Sequence, residues 1–428
     1  MSQLPIYQQY MYSYPHKNAY RFLESEMVKA CLKRFSGQQK TLYYHIPFCE
    51  SKCGYCNLFS IAVGAKNLDI DNYIWAIKRQ VQQYCDLIGR NKVNFETLVF
   101  GGGTPLLLSI EQLEQLFSFA ETSFDMDFQK VYIGMETSPN QTTREKPNYL
   151  KQRGVNRISI GIQSFIEEEL DTLKRRHGTR SSHQAASLIR ETGFHVMNID
   201  LIYGIPGQTM DSLAYSLNQA LIYQPEELFI YPLYVRKGTG IYNKVKPDTS
   251  LQYEMYHYLT DRLAAEGYTQ TSMRRFSKKT LTTSKSCGFE EMLALGCGGR
   301  SYIGNLHFCE PYNVETNQCR KILKAYCQKI DFLQDLKGYI LDPDEQKRRF
   351  IIKNLLYYQG LPMNEYRDLF HHSPKEDFPF IEKLTQNKWV VQKENRLRLT
   401  SEGLAFSDSI GTLFISSRVM EKMEEEQC

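Results

Sequence analysis

Hydrophobic residues in the first half of the chain form short β-like runs that alternate with longer helix-like segments. The segments 72–88 and 109–121 show the apolar spacing of amphipathic helices. Strands that alternate with helices predict parallel βα units, whose right-handed crossovers would curl the strands into a full or partial barrel. The six predicted strands are 42–47, 97–102, 131–136, 157–163, 196–204 and 228–234.

Apolar residues alternate with small or polar residues within three of these strands. Successive side chains of a strand point to opposite faces, so one face should pack on the helices. The opposite face would fill a closed barrel poorly, and this predicts an open, hydrated lumen that holds a polar ligand. Satisfied polar core residues are the alternative. The residues of the second face are Tyr132, Gly134, Glu136, Ser159, Gly161, Gln163, Asn198 and Asp200.

The pattern changes beyond about residue 240. The segment 294–305 is rich in glycine, and the last part of the chain reads as helices followed by a short hairpin, which is typical of a winged-helix-like domain. Four parts are predicted: an N-terminal strap (1–39), a core barrel (40–240), a barrel extension with the glycine-rich segment (241–340) and a C-terminal α+β accessory domain (341–428).

Composition is that of an ordinary globular protein, with 428 residues, 42% apolar residues and a net charge of +4. The small charge gives no sign of the basic stripe of a nucleic-acid-binding protein. The sequence has no transmembrane-length apolar stretch and its start has no signal-peptide core, so we expect a cytoplasmic protein without a membrane partner. Eleven cysteines in a reducing compartment indicate buried thiols and a metal site.

Three cysteines, Cys49, Cys53 and Cys56, occur in one short loop after the first predicted strand. Structural zinc normally takes four ligands in two separated pairs. His45 could be a fourth ligand, but it shares a strand face with Tyr43 and is expected to point into the lumen. A [4Fe–4S] cluster fits better, because three thiolates leave one iron with an open coordination site.

The Cys-x3-Cys-x2-Cys spacing, with Tyr55 before the last cysteine, resembles the radical S-adenosylmethionine (SAM) superfamily. The order of "YYHIPFC", "FGGGTP", "RISIGIQSF" and "NIDLIYGIPGQT" is similar to that in oxygen-independent coproporphyrinogen III oxidases and their relatives. The resemblance implies a partial (β/α)6 barrel, a [4Fe–4S] cluster and one or two SAM molecules. It also implies reductive SAM cleavage to a 5'-deoxyadenosyl radical, with electrons from a flavodoxin- or ferredoxin-type donor.

The resemblance also assigns residues. Cys49, Cys53 and Cys56 match the cluster ligands and are the catalytic candidates. Glycines allow close backbone approach, a carboxylate suits ribose hydroxyls, and an arginine can pair with the SAM carboxylate. An ordinary βα turn and a salt-bridged acid are the plain alternatives for the glycine loop and for Asp200; Arg176 replaces Arg175 if the register shifts. The SAM-binding candidates are Tyr43, Gly102, Gly103, Thr104, Glu136, Gln163, Arg175 and Asp200.

Two departures separate the chain from branches of this family. Leu58 stands where the oxidases proper carry a further cysteine, and 287–302 lacks the His-Asn and Trp of the haem-chaperone branch. The leading prediction is therefore a radical SAM enzyme, of oxidoreductase or methyltransferase type, that modifies a small molecule or peptide. Methyl transfer from a second SAM is one variant. The alternatives are a haem chaperone-like binding protein and a coproporphyrinogen III dehydrogenase, and a structural zinc protein is a third reading.

Several other residues have two readings. His16, Lys17 and Arg21 would contact substrate or form a structural strap, and Arg274, Arg275 and Arg300 would hold substrate carboxylates or form ion pairs. The later cysteines read as buried thiols, with Cys297 close to the site: Cys287, Cys297, Cys309, Cys319 and Cys327.

Overall fold

The computed structural model describes residues 13–63, 70–89, 91–278 and 290–425. The strands are β1 (Arg21–Phe22), β2 (Gly37–Ile46), β3 (Phe48–Cys49), β4 (Ile61–Ala62), β5 (Val93–Gly102), β6 (Tyr132–Thr137), β7 (Arg157–Gln163), β8 (Val196–Tyr203), β9 (Glu227–Pro232), β10 (Tyr268–Gln270), β11 (Arg275–Lys278), β12 (Met292–Leu295), β13 (Arg300–Ile303), β14 (Leu306–Cys309), β15 (Lys337–Ile340), β16 (Leu361–Pro362), β17 (Val390–Lys393) and β18 (Arg396–Leu399).

The helices that follow these strands are mostly amphipathic. They are α1 (Ser25–Arg34), α2 (Ile70–Ile88), α3 (Ile110–Phe124), α4 (Glu145–Gln152), α5 (Glu167–Thr172), α6 (Thr179–Thr192), α7 (Met210–Ile222), α8 (Thr249–Ala265), α9 (Thr316–Gln328), α10 (Pro343–Leu355), α11 (Met363–Phe370), α12 (Pro374–Asp377), α13 (Ile381–Gln386), α14 (Ser401–Ala405), α15 (Ser407–Thr412) and α16 (Ser417–Glu425), with short 3-10 turns at Lys17–Ala19, Pro105–Leu107 and Pro139–Gln141.

One large sheet runs in the order β1-β15-β14-β13-β12-β2-β5-β6-β7-β8-β9-β11-β10. The strands from β12 through β2 to β9 are parallel, whereas both flanks of this block pair antiparallel. The six predicted strands correspond to β2 and β5 to β9, so the α/β prediction of a partial (β/α)6 barrel is confirmed. The antiparallel flanks were not predicted, because their strands are short and one of them, β13, lies inside the glycine-rich segment.

The two faces of the parallel strands divide as their sequence pattern predicts. Ile158, Ile160 and Ile162 of β7 are buried in the main hydrophobic core with the helices. The alternate residues Ser159 and Gly161 line an internal cavity instead. The predicted lumen is therefore present.

Local sequence signals start several helices. Ser109 caps α3 through a reciprocal capping box with Gln112, and Thr209 does the same for α7 with Ser212. Asp342 caps α10, whose first residue is Pro343. Across the described residues, every helix is too short or too polar to cross a bilayer.

The C-terminal part has its own hydrophobic core, built from α10 to α16 and a small sheet in the order β16-β18-β17. The hairpin β17–β18 follows the helices as predicted for a winged-helix-like domain. A buried ion pair between Arg274 beside β11 and Asp408 of α15 joins this domain to the barrel. The strap reaches the same core through Tyr14, whose hydroxyl donates to Glu345 of α10.

Candidate functional site

A cavity of about 1440 Å³ runs through the open barrel. It reaches the carboxyl ends of the parallel strands, where enzymes of the related closed barrels place their active sites. All of the sequence-predicted site residues line it, although they come from six strands and the loops between them. The structure thus brings the set together: Tyr43, Cys49, Cys53, Cys56, Gly102, Gly103, Thr104, Glu136, Gln163, Arg175 and Asp200.

The cysteine loop leaves the end of β2 and is closed at its base by the parallel pair of β3 and β4. Each thiol has a polar neighbour. The Thr104 hydroxyl donates to Cys49 Sγ at 3.8 Å, the Arg175 guanidinium donates to Cys53 Sγ at 3.0 Å, and Cys56 Sγ lies 3.6 Å from Ser60 Oγ. These donors favour thiolates, because a hydrogen bond to the charged form stabilises it.

Burial raises the pKa of the Cys49 thiol to about 12, and the neighbouring Cys56 and Cys53 raise it further. Burial and Cys53 likewise raise the pKa of Cys56. Positive charge from bound iron would reverse this cost, since a metal deprotonates its coordinating thiols. No three His, Cys, Asp or Glu side chains of the described residues are arranged to hold a single metal ion. Each thiolate of a cubane cluster binds a different iron, so its three ligands need not converge on one ion.

The loop after β5 forms a close-fitting wall beside Cys49. A Cβ atom on Gly103 would lie 2.9 Å from Cys49 Sγ and 2.7 Å from the carbonyl oxygen of Phe48. Gly102 has φ +114°, and a Cβ there would lie 2.7 Å from the His45 ring. Both positions therefore require glycine, which leaves backbone rather than side chains facing a ligand.

Glu136 ends β6 inside the cavity, and its Oε2 accepts a hydrogen bond from Gly102 N at 3.0 Å. Burial raises the pKa of this carboxyl group. A Cβ on Gly101 would lie 2.8 Å from the Tyr43 hydroxyl and 3.1 Å from Glu136 Cδ, so glycine lets these two side chains converge. The carboxylate retains an oxygen that can accept from a ligand hydroxyl, as the ribose role requires.

Arg175 follows α5 and reaches across to the cysteine loop. Besides its bond to Cys53, its guanidinium donates to the carbonyl oxygen of Gly161, while its buried Nε has no partner among the described residues. Arg176 also lines the cavity but is exposed, whereas Arg175 is half-buried beside the cysteine loop. The role of Arg175 toward the SAM carboxylate stays a prediction.

Gln163 and Asp200 complete this wall. Gln163 adopts φ +74° at a bulge of β7, a conformation that non-glycine residues rarely take and that turns its side chain beside Gly161. Asp200 accepts a hydrogen bond from Asn198 Nδ2 at 2.6 Å. Burial raises its pKa to about 7, against the lowering effect of Asn198. The Asn198 Oδ1 atom is buried without a partner among the described residues.

These residues fit an iron–sulfur cluster with SAM at its open iron. When bound, the pair supplies one-electron cleavage of the sulfonium to methionine and a 5'-deoxyadenosyl radical. The chain provides the thiols, the glycine wall, and polar groups of both signs for a zwitterionic nucleoside ligand.

His45 was expected to face the lumen, and it does. It is buried, its Nε2 lies 2.9 Å from the Phe59 carbonyl oxygen and its Nδ1 lies 3.4 Å from the Tyr43 hydroxyl. Burial lowers its pKa to about 4. Cβ atoms on Gly298 would lie 2.5 Å from this ring, which explains why the glycine-rich segment packs here. His45 therefore contacts the chain just after the cysteine loop, at Phe59. Nothing indicates that His45 is a metal ligand.

Sequence reasoning missed two polar groups at the site. Asn140 lines the cavity and donates to Glu50 of the cysteine loop at 2.9 Å. Ser159 accepts from Asn198 at 2.7 Å and so fixes the amide that holds Asp200. The period-two pattern marked Ser159 as lumen-facing, whereas Asn140 lies in a 3-10 turn that carries no periodic signal.

The structure also distinguishes between the two roles that the sequence left open for six residues of the strap and the barrel. His16, Lys17 and Arg300 line the cavity. Arg21 instead binds the Lys422 carbonyl oxygen and Glu425 of α16, each at 2.7 Å, as a structural clasp. The other two arginines form buried ion pairs, Arg274 with Asp408 and Arg275 with Glu227.

The later cysteines are mainly structural. Cys297, Cys309 and Cys319 are buried, and Cys327 is partly exposed. Cys309 lines the cavity, and Cys297 immediately precedes the lining residues Gly298 and Gly299 without lining the cavity itself. Cys287 lies outside the described residues.

Comparison with known proteins places this geometry in a family. The profile of the radical SAM superfamily matches residues 43–220, and that of the HemN C-terminal domain matches residues 341–406. The heme chaperone HemW of Bacillus subtilis is 26% identical over 386 residues, which cover 88% of this chain and 99% of that protein. HemW of Escherichia coli is 30% identical over 268 residues, or 61% of this chain and 70% of that protein.

Two further similar proteins are named for an oxidase activity and not for a chaperone function. The oxygen-independent coproporphyrinogen III oxidase of Pseudomonas aeruginosa is 25% identical over 408 residues, 89% of this chain and 86% of that enzyme. The solved structure of coproporphyrinogen III oxidase (HemN) from Escherichia coli superposes with a TM-score of 0.83 at 23% identity, over 95% of this chain and 96% of that one. Membership implies a [4Fe–4S] cluster and SAM as cofactors. The chain belongs to the radical SAM superfamily, in the family that contains the heme chaperone HemW and oxygen-independent coproporphyrinogen III oxidase.

Proposed function

We propose that this protein binds a carboxylate-bearing tetrapyrrole in the cavity beside SAM, and that the radical from SAM modifies that macrocycle. The names of its relatives concern heme and coproporphyrinogen, both of which are tetrapyrroles. Those names give no support to the peptide substrate and the methyl transfer that the sequence left open.

The observation that carries the proposal is the size of the cavity. Its volume of about 1440 Å³ is continuous from the cluster cysteines to the N-terminal strap. Sites for a single drug-sized ligand commonly occupy roughly 300–1,000 Å³. The cavity therefore has room for SAM and a large second ligand, which would lie within reach of the radical.

The charge of the lining supports the same ligand class. Lysine and arginine side chains outnumber aspartate and glutamate side chains around the cavity, and several aromatic residues lie among them. Carboxylates pair well with arginine, and aromatic side chains can stack on a macrocycle. The basic lining residues are Lys17, Lys52, Lys130, Arg157, Arg175, Arg176, Arg236, Lys237, Arg275, Arg300 and Lys337.

The second candidate is a heme-handling chaperone that retains the cluster. The observation that favours it is the match to HemW of Bacillus subtilis over 99% of that protein. In this case the macrocycle would be held and passed on, and SAM would not be consumed in proportion to it.

The test is anaerobic turnover of the reconstituted protein with SAM and a strong reductant. Coproporphyrinogen III or heme is added in separate reactions, and 5'-deoxyadenosine and the mass of the tetrapyrrole are quantified by mass spectrometry. Cys53→Ala is the matched control, since it removes one cluster ligand and leaves the cavity in place.

We expect 5'-deoxyadenosine to rise with one of the two tetrapyrroles, together with a new tetrapyrrole mass. Stoichiometric heme binding without either product would favour the chaperone. Failure to bind or consume either compound would refute the tetrapyrrole proposal while leaving the family assignment in place.

A further inference from the structure

Part of the N-terminal strap (1–39) contributes side chains to the cavity. This part comprises residues 13–22 and is called the strap below. We propose that Lys17 of the strap forms an anion-binding subsite with Arg236 and Arg300, and that this subsite holds a carboxylate of the second ligand. The identity of that ligand rests on the function proposed above, whereas the subsite itself rests on the geometry of these three cations.

The strap is held at both ends, which fixes Lys17 in place. The Tyr14 hydroxyl donates to Glu345 and accepts from Ser416 N at 3.2 Å, within the C-terminal domain. At the other end β1 pairs antiparallel with β15. Between these anchors the 3-10 turn Lys17–Ala19 faces the cavity.

Lys17 lies beside the cysteine loop. Its ammonium sits over the Tyr312 ring, 2.9 Å from the centroid, and the Tyr312 hydroxyl donates to the carbonyl oxygen of Asn57 at 2.8 Å. None of the described residues gives Lys17 a carboxylate partner. Its surface is turned to the cavity and removed from bulk solvent.

Arg300 and Arg236 bring further positive charge to the same place. Arg300 begins β13 and donates to Ser13 Oγ of the strap at 2.8 Å. Arg236 follows β9, and its guanidinium lies over the Tyr234 ring, 5.1 Å from the centroid. Both line the cavity with Lys17.

Arg300 is bonded to the strap at Ser13, four residues before Lys17, and Arg236 lines the same cavity. The electrostatic effects agree with this placement. Burial lowers the pKa of Lys17 well below its usual range, and Arg300 lowers it further. Burial also lowers the pKa of His16 to about 3, with added effects from Lys17, Arg300 and Arg236. Assembling like charges in a cavity is costly. A bound anion would offset that cost, because it pairs with all of them at once.

This subsite is separate from the one assigned to SAM. Arg175 donates to Cys53 and to the Gly161 carbonyl oxygen. Lys17 instead lies over Tyr312, which bonds the Asn57 carbonyl oxygen just after the last cysteine of the loop. A ligand anchored at Lys17 would therefore be held by side chains other than Arg175.

The experiment is calorimetric titration of the reconstituted protein, anaerobic and saturated with SAM so that Arg175 is occupied. The probes are trimesate, a rigid tricarboxylate, and coproporphyrin III with its methyl ester as an uncharged counterpart. The variants are Lys17→Gln and Lys17→Arg. Lys130→Gln is the matched control, because Lys130 lines the same cavity near the amino end of β6.

Removing one charge-assisted contact should weaken trimesate binding by about tenfold or more in Lys17→Gln. Lys17→Arg and Lys130→Gln should stay within about threefold of wild type. Because Lys17 is costly without a ligand, Lys17→Gln should unfold at the same or a higher temperature. Weaker binding at undiminished stability is a result that a purely structural lysine would not give.

Coproporphyrin III should follow trimesate, and its methyl ester should not respond to Lys17. Trimesate binding that depends on Lys17 while coproporphyrin III fails to bind would retain the subsite and refute the tetrapyrrole. Wild-type trimesate binding that Lys17→Gln leaves unchanged would overturn the subsite, as would the absence of trimesate binding to the wild type.

Discussion

The ion pair between Arg274 and Asp408 gives a sharp test of how the C-terminal domain supports the cavity. Both side chains are almost fully buried, at 5% and 1% exposure. The second oxygen of Asp408 accepts from the Tyr234 hydroxyl at 2.5 Å, and Tyr234 lines the cavity. Asp408 therefore fixes a cavity wall from the neighbouring domain.

Asp408→Asn keeps the shape of the side chain and removes its charge. Removing one partner of a buried pair typically costs about 3–5 kcal/mol, since the other charge stays buried without compensation. The double variant Arg274→Met with Asp408→Leu removes both charges and should cost less, about 1–3 kcal/mol, because no uncompensated charge is left buried and the Tyr234 hydroxyl loses its bonds to Asp408 and Arg274. The double variant should thus be more stable than the single one.

The chain offers a local probe for this measurement. It has two tryptophans, Trp75 in α2 and Trp389 in the C-terminal domain beside Phe406. In a Trp75→Phe background, urea unfolding followed by fluorescence reports on the domain that contains Asp408. Asp344→Asn is the matched control, because its pair with Arg348 is solvent-exposed and should be worth about 1 kcal/mol or less.

Two results would refute this reasoning. An Asp408→Asn cost no larger than that of the exposed control would mean that the buried pair is not important for stability. A double variant less stable than the single variant would mean that attraction between the charges, and not the burial of an uncompensated charge, dominates.

Three further predictions concern the site. Cys53→Ala should abolish both the brown absorbance of the cluster and SAM cleavage, and a variant that keeps either would contradict the ligand assignment. Gly102→Ala should lower the free energy of unfolding by about 1–3 kcal/mol because of the positive φ alone. It should also weaken SAM binding, because the new Cβ meets the His45 ring. Equilibrium dialysis with labelled SAM measures the affinity, and an unchanged affinity would argue against the glycine wall. The raised pKa of Asp200, about 7, favours the folded state while the group is neutral. That stability is fully present below the ordinary carboxyl pKa of about 4 and is lost progressively as pH rises from about 4 to about 7, so Asp200→Asn should raise the unfolding temperature of the SAM-free protein more at pH 8 than at pH 5.

Much of the fold and of the candidate site could be predicted because both depend on patterns of residues that are near one another in the chain. Short β-like runs between helical segments predicted the six core strands, period-two alternation in three of them predicted the face that meets the lumen, and the cysteine spacing pointed to an iron–sulfur cluster. These patterns can be recognised without the tertiary structure, because successive side chains of a strand point to opposite faces of the sheet. The same local order placed Glu136, Gln163 and Asp200 in one cavity, where their binding roles stay predictions.

The roles of the basic residues could not be read in this way. Arg274, Arg275 and Arg300 carry the same charge in the sequence, yet Arg274 and Arg275 form buried ion pairs, whereas Arg275 and Arg300 line the cavity. Their partners, such as Asp408, come from distant parts of the chain.

What the sequence determined by itself was therefore the barrel, its lumen face and the three-cysteine loop, because each depends on residues near one another in the chain. Only the tertiary structure decided that Lys17 joins Arg300, some 280 residues away, and that the C-terminal domain holds Tyr234. The energy of a charge is set by its distance to other charges and to water, and both are known only once the chain has folded.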